Sequence, residues 1–168
     1  NRTREVKVPD DLKNLKMRVP NSEMYLDLWR TMGTNPVAMS WAETVGALQT
    51  GTVAGQENGP HPPWSSKAYE LIKYYTVSNY SYDPIMLVIN KDFFNGLSAN
   101  DQKIFRECGL EAMRYEAAFV KNKAEERLNV IKGAGVKVTY LTDEQRKMFQ
   151  KKVEPFYEKW QAKLGKSL

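Results

Sequence analysis

The sequence predicts an α/β fold, and three observations carry that expectation. Short strand-like segments alternate with helix-like ones along the whole chain. The run Ile85-Met86-Leu87-Val88-Ile89 is wholly apolar, which suits a strand in a sheet covered on both faces. At 168 residues the chain is long enough for one domain with a real core.

The elements follow in order. Pro9-Asp10-Asp11-Leu12 reads as a short helical turn and Asn14 to Val19 as a strand. Pro20 stops that strand, and Asn21 is read as the N-cap of a helix from Ser22 to Met32, with Met24, Leu26, Leu28 and Trp29 as its apolar face. After Gly33 and the turn at Asn35-Pro36, Val37-Ala38-Met39 is a short buried strand. Ser40 and Glu43 form a capping box for a helix to about Gln49, closed by Thr50-Gly51-Thr52. Val53 to Gln56 resumes an extended path, and Gly59 to Pro63 reads as a stiff irregular loop. A helix is expected from Ser65 to Ile72, a strand from Tyr74 to Tyr80, a break at Asp83-Pro84, and a buried strand from Ile85 to Ile89. A short helix begins at Asn90 and ends before Leu97. From Ala99 to Lys132 there is no proline, and Phe105, Cys108, Met113, Ala117, Val120, Ala124, Leu128 and Ile131 recur at helical spacing, so one long helix is expected. Val136 to Leu141 is a strand, and Thr142 with Gln145 caps a last helix that Pro155 kinks or breaks.

Composition narrows the function. Hydrophobic residues make up 42% and charged residues 27%, and the mean hydropathy of −0.59 is that of a water-soluble protein. No apolar run approaches the roughly 20 residues of a membrane span, and no secretory signal is present. The chain starts at Asn1, which reads as a processed or partial sequence whose upstream part could have held an export signal. The net charge is +5. Around Glu125 and Glu126, however, the basic residues Lys121, Lys123, Arg127 and Lys132 alternate with acids, as on a solvated helix face. That pattern argues against a nucleic-acid partner. Cys108 is the only cysteine and His61 the only histidine, so an intrachain disulfide and a cysteine or histidine metal cluster are excluded. Cys108 reads as a buried small hydrophobe. No metal or cofactor is expected.

Catalytic motifs are missing: there is no G-x-S-x-G, no P-loop and no H-E-x-x-H. The informative residue is Arg18, at the end of an alternating segment and just before Val19-Pro20-Asn21. It either bridges to a structural acid or points a rigid fork of donors into a cleft, where it matches a carboxylate in a bidentate way. Open α/β sheets bind ligands at the carboxyl ends of their strands. Asn58, in the polar run Gln56-Glu57-Asn58, is either a turn residue or a ligand hydrogen-bonding group. Trp41 is either core or the apolar wall of a site beside helix N–H groups that favour anions.

At these residues the sequence resembles the extracytoplasmic solute receptors of tripartite ATP-independent periplasmic (TRAP) transporters, in the dicarboxylate-receptor group. The matching runs are Val8 to Asn21, Gly33 to Glu43, Ala47 to Gly51, Gly55-Gln56-Glu57-Asn58, Ser66 to Glu70, Ile89 to Phe93, Leu97-Ser98, Asp101-Gln102 and Gly135 to Val138. They keep their order over nearly the whole chain. The resemblance implies a two-lobed periplasmic-binding-protein-like fold of type II character, with a long helix spanning both lobes and most of the N-terminal lobe absent. Residues 1–82 would form the second ligand-binding lobe, 83–122 would contribute to the first lobe and the spanning helix, and 123–168 would return to the second. Arg18 matches the arginine that pairs with the ligand carboxylate, Asn58 an asparagine that hydrogen-bonds ligand, and Asn21 a position that can reach it. Trp41 takes a place often held by phenylalanine, which makes that wall bulkier. The family usually has Asp before Gly-Gln-Glu-Asn and Pro after it, where this chain has Ala54 and Gly59.

The implied function is a monomeric periplasmic receptor, not an enzyme. It would capture an organic acid, a dicarboxylate or a sugar acid such as a uronate, and deliver it to membrane permease subunits. An α/β enzyme acting on an organic acid and a signalling receptor domain are the alternatives from other classes.

Overall fold

The computed structural model describes residues 1–82 and 84–165. The chain divides into two compact units, one of Asn1–Tyr80 with Arg127–Leu168 and one of Ser81–Glu126.

The first unit holds two parallel sheets. Strand β1 (Lys16–Val19) lies between β2 (Asn35–Ala38) and β3 (Gly55–Gln56), and β4 (Tyr74–Val77) pairs with β5 (Lys137–Tyr140). Helices α1 (Glu23–Thr31) and α2 (Trp41–Thr50) return the chain between the first three strands, as parallel pairing requires. Short α3 (His61–Ser65) and a 3-10 turn at Ala68–Leu71 lead to β4. Helices α6 (Asp143–Lys152) and α7 (Glu154–Leu164) follow β5.

Two apolar clusters hold this unit together. One gathers Leu15, Met17, Val19, Trp29 and Met32 against Val153, Phe156 and Trp160 of the last helices. The other packs Leu48, Val53, Ala68 and Ile72 against Ile131 and Val136. Lys159–Asp27 and Lys163–Glu23 ion pairs tie α7 to α1. Gly51 caps α2 at φ 75°, a left-handed conformation that disfavours any residue with a Cβ.

The second unit contains α4 (Lys91–Gly96), capped by the Asn90 side chain, and most of α5 (Ala99–Gly133). The single long helix expected from Ala99 onward is present, and its last turns, with Leu128 and Ile131 buried, belong to the first unit.

Several expectations are corrected. The cap of α1 is Ser22, and Asn21 stands in the exposed bend before it. The bend closes through a Ser22 N–H donating to the Pro20 carbonyl at 2.8 Å, which moves the first turn one residue on. The loop expected from Gly59 is helical from His61, because Pro60, Pro62 and Pro63 preset helical φ where first-turn N–H groups need no partner. The helix expected from Ser65 breaks into α3 and the 3-10 turn, with Lys67 left-handed between them. Ile85 to Ile89 is neither strand nor buried: Ile85 is 78% and Val88 79% exposed. A strand needs a neighbour for its backbone groups, and none pairs with this run among the described residues. Cys108 is exposed for a related reason, since α4 and the outer part of α5 are too few elements to cover that helix face. The break expected at Asp83-Pro84 involves Asp83, which lies outside the described residues.

Candidate functional site at the carboxyl edge of the parallel sheet

The site is built on the central strand. In β1, Lys16 is exposed while Met17, Arg18 and Val19 are buried. Parallel neighbours on both sides enclose the strand, so Arg18 is only 5% exposed. Its register partners are Val37 and Gln56, which sets it at the carboxyl edge where β2 runs on to Met39 and β3 runs on to Glu57.

The guanidinium is fixed from two sides. Arg18 Nε donates to the Met39 carbonyl at 2.9 Å. Its charged carbon lies 5.7 Å from the centre of the Trp41 ring, within the range of a cation–π contact. Among the described residues, the two terminal nitrogens make no hydrogen bond. Burial lowers the Arg18 pKa from its ordinary value, and the Glu57 carboxylate works against that shift. An arginine stays a cation at neutral pH, so this is a desolvated positive charge with one edge of its fork uncommitted.

Trp41 is the first residue of α2, half-buried. The helix start is fixed by Glu43, whose carboxylate accepts from Ser40 N–H at 3.1 Å and from Ser40 Oγ at 2.6 Å. These bonds lower the Glu43 pKa. The Glu43 carboxylate thus closes back on the N-cap residue Ser40. Trp41 supplies a ring at that helix start.

Asn58 leaves the sheet two residues past the position opposite Arg18. Its Nδ2 donates to Gln56 Oε1 at 2.8 Å, and its carbonyl accepts from Tyr75 Oη at 3.0 Å. Tyr80 Oη donates to Glu57, so the Gln56-Glu57-Asn58 segment is held from β4 and the residues after it. Burial, with the Glu57 charge second, pushes the Tyr75 phenol above its ordinary range. Arg18, Trp41 and Asn58 thus share one edge. Asn21 follows the end of β1, exposed, and makes no hydrogen bond to those three. Tyr75, Tyr80 and the Met39 carbonyl carry no local signal in the sequence. Strand alternation and local spacing do not signal a contact between residues 17 and 23 positions apart.

His61 is exposed, 5.8 Å from the Trp64 ring, as a rim residue would be. Among the described residues no three acidic, histidine or cysteine side chains converge to hold a metal ion. No helix among them is long and apolar enough to cross a membrane.

Comparison with known proteins adds a lineage. Residues 1–164 match the bacterial extracellular solute-binding proteins, family 7. The 2,3-diketo-L-gulonate-binding periplasmic protein YiaO of Escherichia coli K12 is 37% identical over 144 residues, 86% of this chain and 43% of that protein. A TRAP periplasmic solute-binding protein from Ralstonia eutropha H16, solved with bound (S)-2-acetolactate, superposes with a TM-score of 0.93 at 32% identity, covering 99% of this chain and 55% of its own. The sugar acid binding protein DctPAm from Advenella mimigardefordensis, in complex with galactonate, gives 0.92 at 31% identity, with 99% and 54% covered. The chain spans about half the length of the relatives it matches.

Proposed function

Because the chain belongs to family 7 of the bacterial extracellular solute-binding proteins, we propose that it is the carboxylate-holding portion of a periplasmic TRAP receptor. The observation that carries this reading is the state of Arg18: buried, fixed by Met39 and Trp41, with its terminal nitrogens free of hydrogen bonds among the described residues. That geometry leaves a planar pair of donors for one carboxylate. The Trp41 ring walls one side, Asn58 supplies an amide for a second oxygen, and Asn21 reaches the bound solute from the end of β1.

The ligand we favour is a carboxylate with an oxygen on the adjacent carbon. Diketogulonate, acetolactate and galactonate, named for the three relatives, share that grouping. Arg18 would take the carboxylate and Asn58 the neighbouring oxygen. The unit of Asn1–Tyr80 and Arg127–Leu168 would be the second lobe, and Ser81–Glu126 would join the first. The complete receptor would be a monomer that closes on its solute in the periplasm and passes it to membrane permease subunits. We assign no catalysis: Glu57 is the acid acting on Arg18, and it already accepts a hydrogen bond from Tyr80.

Calorimetry on the full-length receptor tests this, with galactonate, acetolactate and diketogulonate as probes. Removing one partner of a buried charge pair costs about 2–5 kcal/mol, so Arg18→Ala should weaken binding of the accepted acid well over tenfold. Unchanged affinity in that variant would overturn the assignment. Recovery of a chemically altered acid after incubation would favour an enzyme instead.

A further inference from the structure

Asn58 is followed by Gly59, in the place where the family usually has proline. The exchange matters chemically. Proline has no backbone N–H, whereas glycine sets an N–H beside the asparagine amide with no Cβ in the way. In an Asn-Gly pair the side-chain amide is therefore open to attack by the next backbone nitrogen. The chain has two such pairs, Asn58-Gly59 and Asn95-Gly96. Asn95 and Gly96 lie in α4, where helical geometry turns the Gly96 N–H back toward the preceding turn. Gly59 is exposed and outside any helix or strand, and its N–H makes no hydrogen bond among the described residues. The backbone does not call for glycine there. Its φ is not left-handed, and a Cβ would meet nothing within 4 Å.

The peptide group between Asn58 and Gly59 is polarised in the direction such an attack needs. Tyr75 Oη donates to the Asn58 carbonyl at 3.0 Å. Loss of the Gly59 amide proton places negative charge on that same oxygen by resonance, so a phenol aimed at it stabilises the anion. Burial keeps the Tyr75 phenol protonated beyond its ordinary range, and the donor persists in mild alkali. Glu57 would oppose the anion, but its charge is already turned on Arg18 and Tyr80. One contact holds the side chain back. Asn58 Nδ2 donates to Gln56 Oε1 at 2.8 Å, and that bond must part before Cγ can meet the Gly59 nitrogen.

We propose that Asn58-Gly59 is a site of spontaneous covalent modification, promoted by the Tyr75 phenol. The Gly59 N–H gives its proton to solvent, and the nitrogen attacks Asn58 Cγ. The new N–Cγ bond closes a cyclic imide as the Cγ–Nδ2 bond breaks, and Nδ2 leaves as ammonia with protons from solvent. Water then opens the ring. Attack at Cγ restores the ordinary chain with aspartate in that place, and attack at the backbone carbonyl carbon leaves the chain running through Cγ as isoaspartate. Water is consumed and ammonia released, with no oxidant or reductant. Either product puts a carboxylate on the edge where Arg18 holds its charge. On the receptor reading, on which this consequence alone rests, that carboxylate competes for Arg18 and repels an incoming acid. The receptor then loses affinity as it ages.

Incubation of the full-length natural polypeptide in warm, mild alkali without added ligand tests the proposal, read by peptide mapping in a mass spectrometer and by enzymatic methylation of isoaspartate. The Asn58 peptide should exchange ammonia for water many-fold faster than the Asn95 peptide. Gly59→Pro should abolish the reaction, and Gly59→Ala, whose Cβ has open space, should slow it many-fold. Tyr75→Phe should slow it about fivefold, the worth of one hydrogen bond. If Tyr75 merely tied the segment down, its loss would free the side chain and speed the reaction, so a faster Tyr75→Phe variant would overturn the proposal. An Asn58 peptide still intact after Asn95 has converted would overturn it too, as would conversion that persists in Gly59→Pro. The mass change is read without ligand, so failure there leaves the receptor reading standing. Calorimetry with galactonate on the converted protein should show weakening of about tenfold or more, and unchanged affinity would instead remove Asn58 from the ligand site.

Discussion

Arg18 shows how much of a site can reside in one side chain and how little of its setting is local. Nε is committed to Met39 and the ring of Trp41 lies against the guanidinium, so on the proposed reading the outer fork is what a carboxylate would meet. Arg18→Lys keeps the charge but loses both the fork and the fixed plane, and calorimetry on the full-length receptor should show weakening of more than tenfold. On the proposed reading, Tyr75 would act through Asn58. Tyr75→Phe removes the donor to the Asn58 carbonyl, which should cost about 1 kcal/mol in chemical denaturation and weaken binding a few-fold. The same variant should lose a late-titrating phenol in an ultraviolet pH titration, since burial holds Tyr75 protonated beyond its ordinary range. Glu5 gives a pH signature. Its carboxyl is held at about 2, down from 4.5, chiefly by Lys137 and then Thr139. A carboxyl depressed in the folded state stabilises above its unfolded pKa and loses that contribution as pH falls through its folded one. The melting difference between wild type and Glu5→Gln should be full above pH 4.5 and vanish toward pH 2.

At the scale of elements, the ends were the most legible features. Ser40-x-x-Glu43, Thr142-x-x-Gln145 and the proline at Pro155 each mark a boundary that the structure keeps within a residue or so, because a cap is a local bargain between a side chain and the first-turn N–H groups. Thr142→Ala should therefore cost about 1 kcal/mol in urea melts by freeing the Gln145 N–H. Gly51→Ala, at φ 75°, should cost roughly 1–2 kcal/mol and loosen the helix that carries Trp41. The elements whose structure departs from the sequence pattern share a cause. Ile85 to Ile89 has the composition of a central strand, but strand formation depends on a partner that sequence pattern cannot supply. The proline-rich segment from Gly59 has the pattern of a stiff loop, but the same fixed φ serves a helix start equally well.

At the scale of the whole molecule, the two units are unequal. The first has two apolar clusters and both sheets, and Leu48→Ala in its core should cost about 2–5 kcal/mol. The second leaves Ile85, Met86, Leu87, Val88 and Phe93 more than half exposed. Apolar surface of that extent marks a face built to be covered. This chain expressed by itself should therefore run above its 19.3 kDa monomer mass in light-scattering chromatography. Limited proteolysis should cut first between residues 81 and 126, and a monodisperse, protease-resistant monomer would contradict that expectation.

The sequence by itself determined the α/β alternation, the helix caps, the long helix from Ala99 and the candidate residues Arg18, Trp41 and Asn58, because periodicity, capping and side-chain chemistry are short-range properties. Only the tertiary structure decided that these three meet at one sheet edge, that Met39, Tyr75 and Tyr80 hold it, and that Ile85 to Ile89 and Cys108 stand exposed. Those outcomes depend on register and on which surfaces find partners, and both are fixed by contacts between residues far apart in the chain.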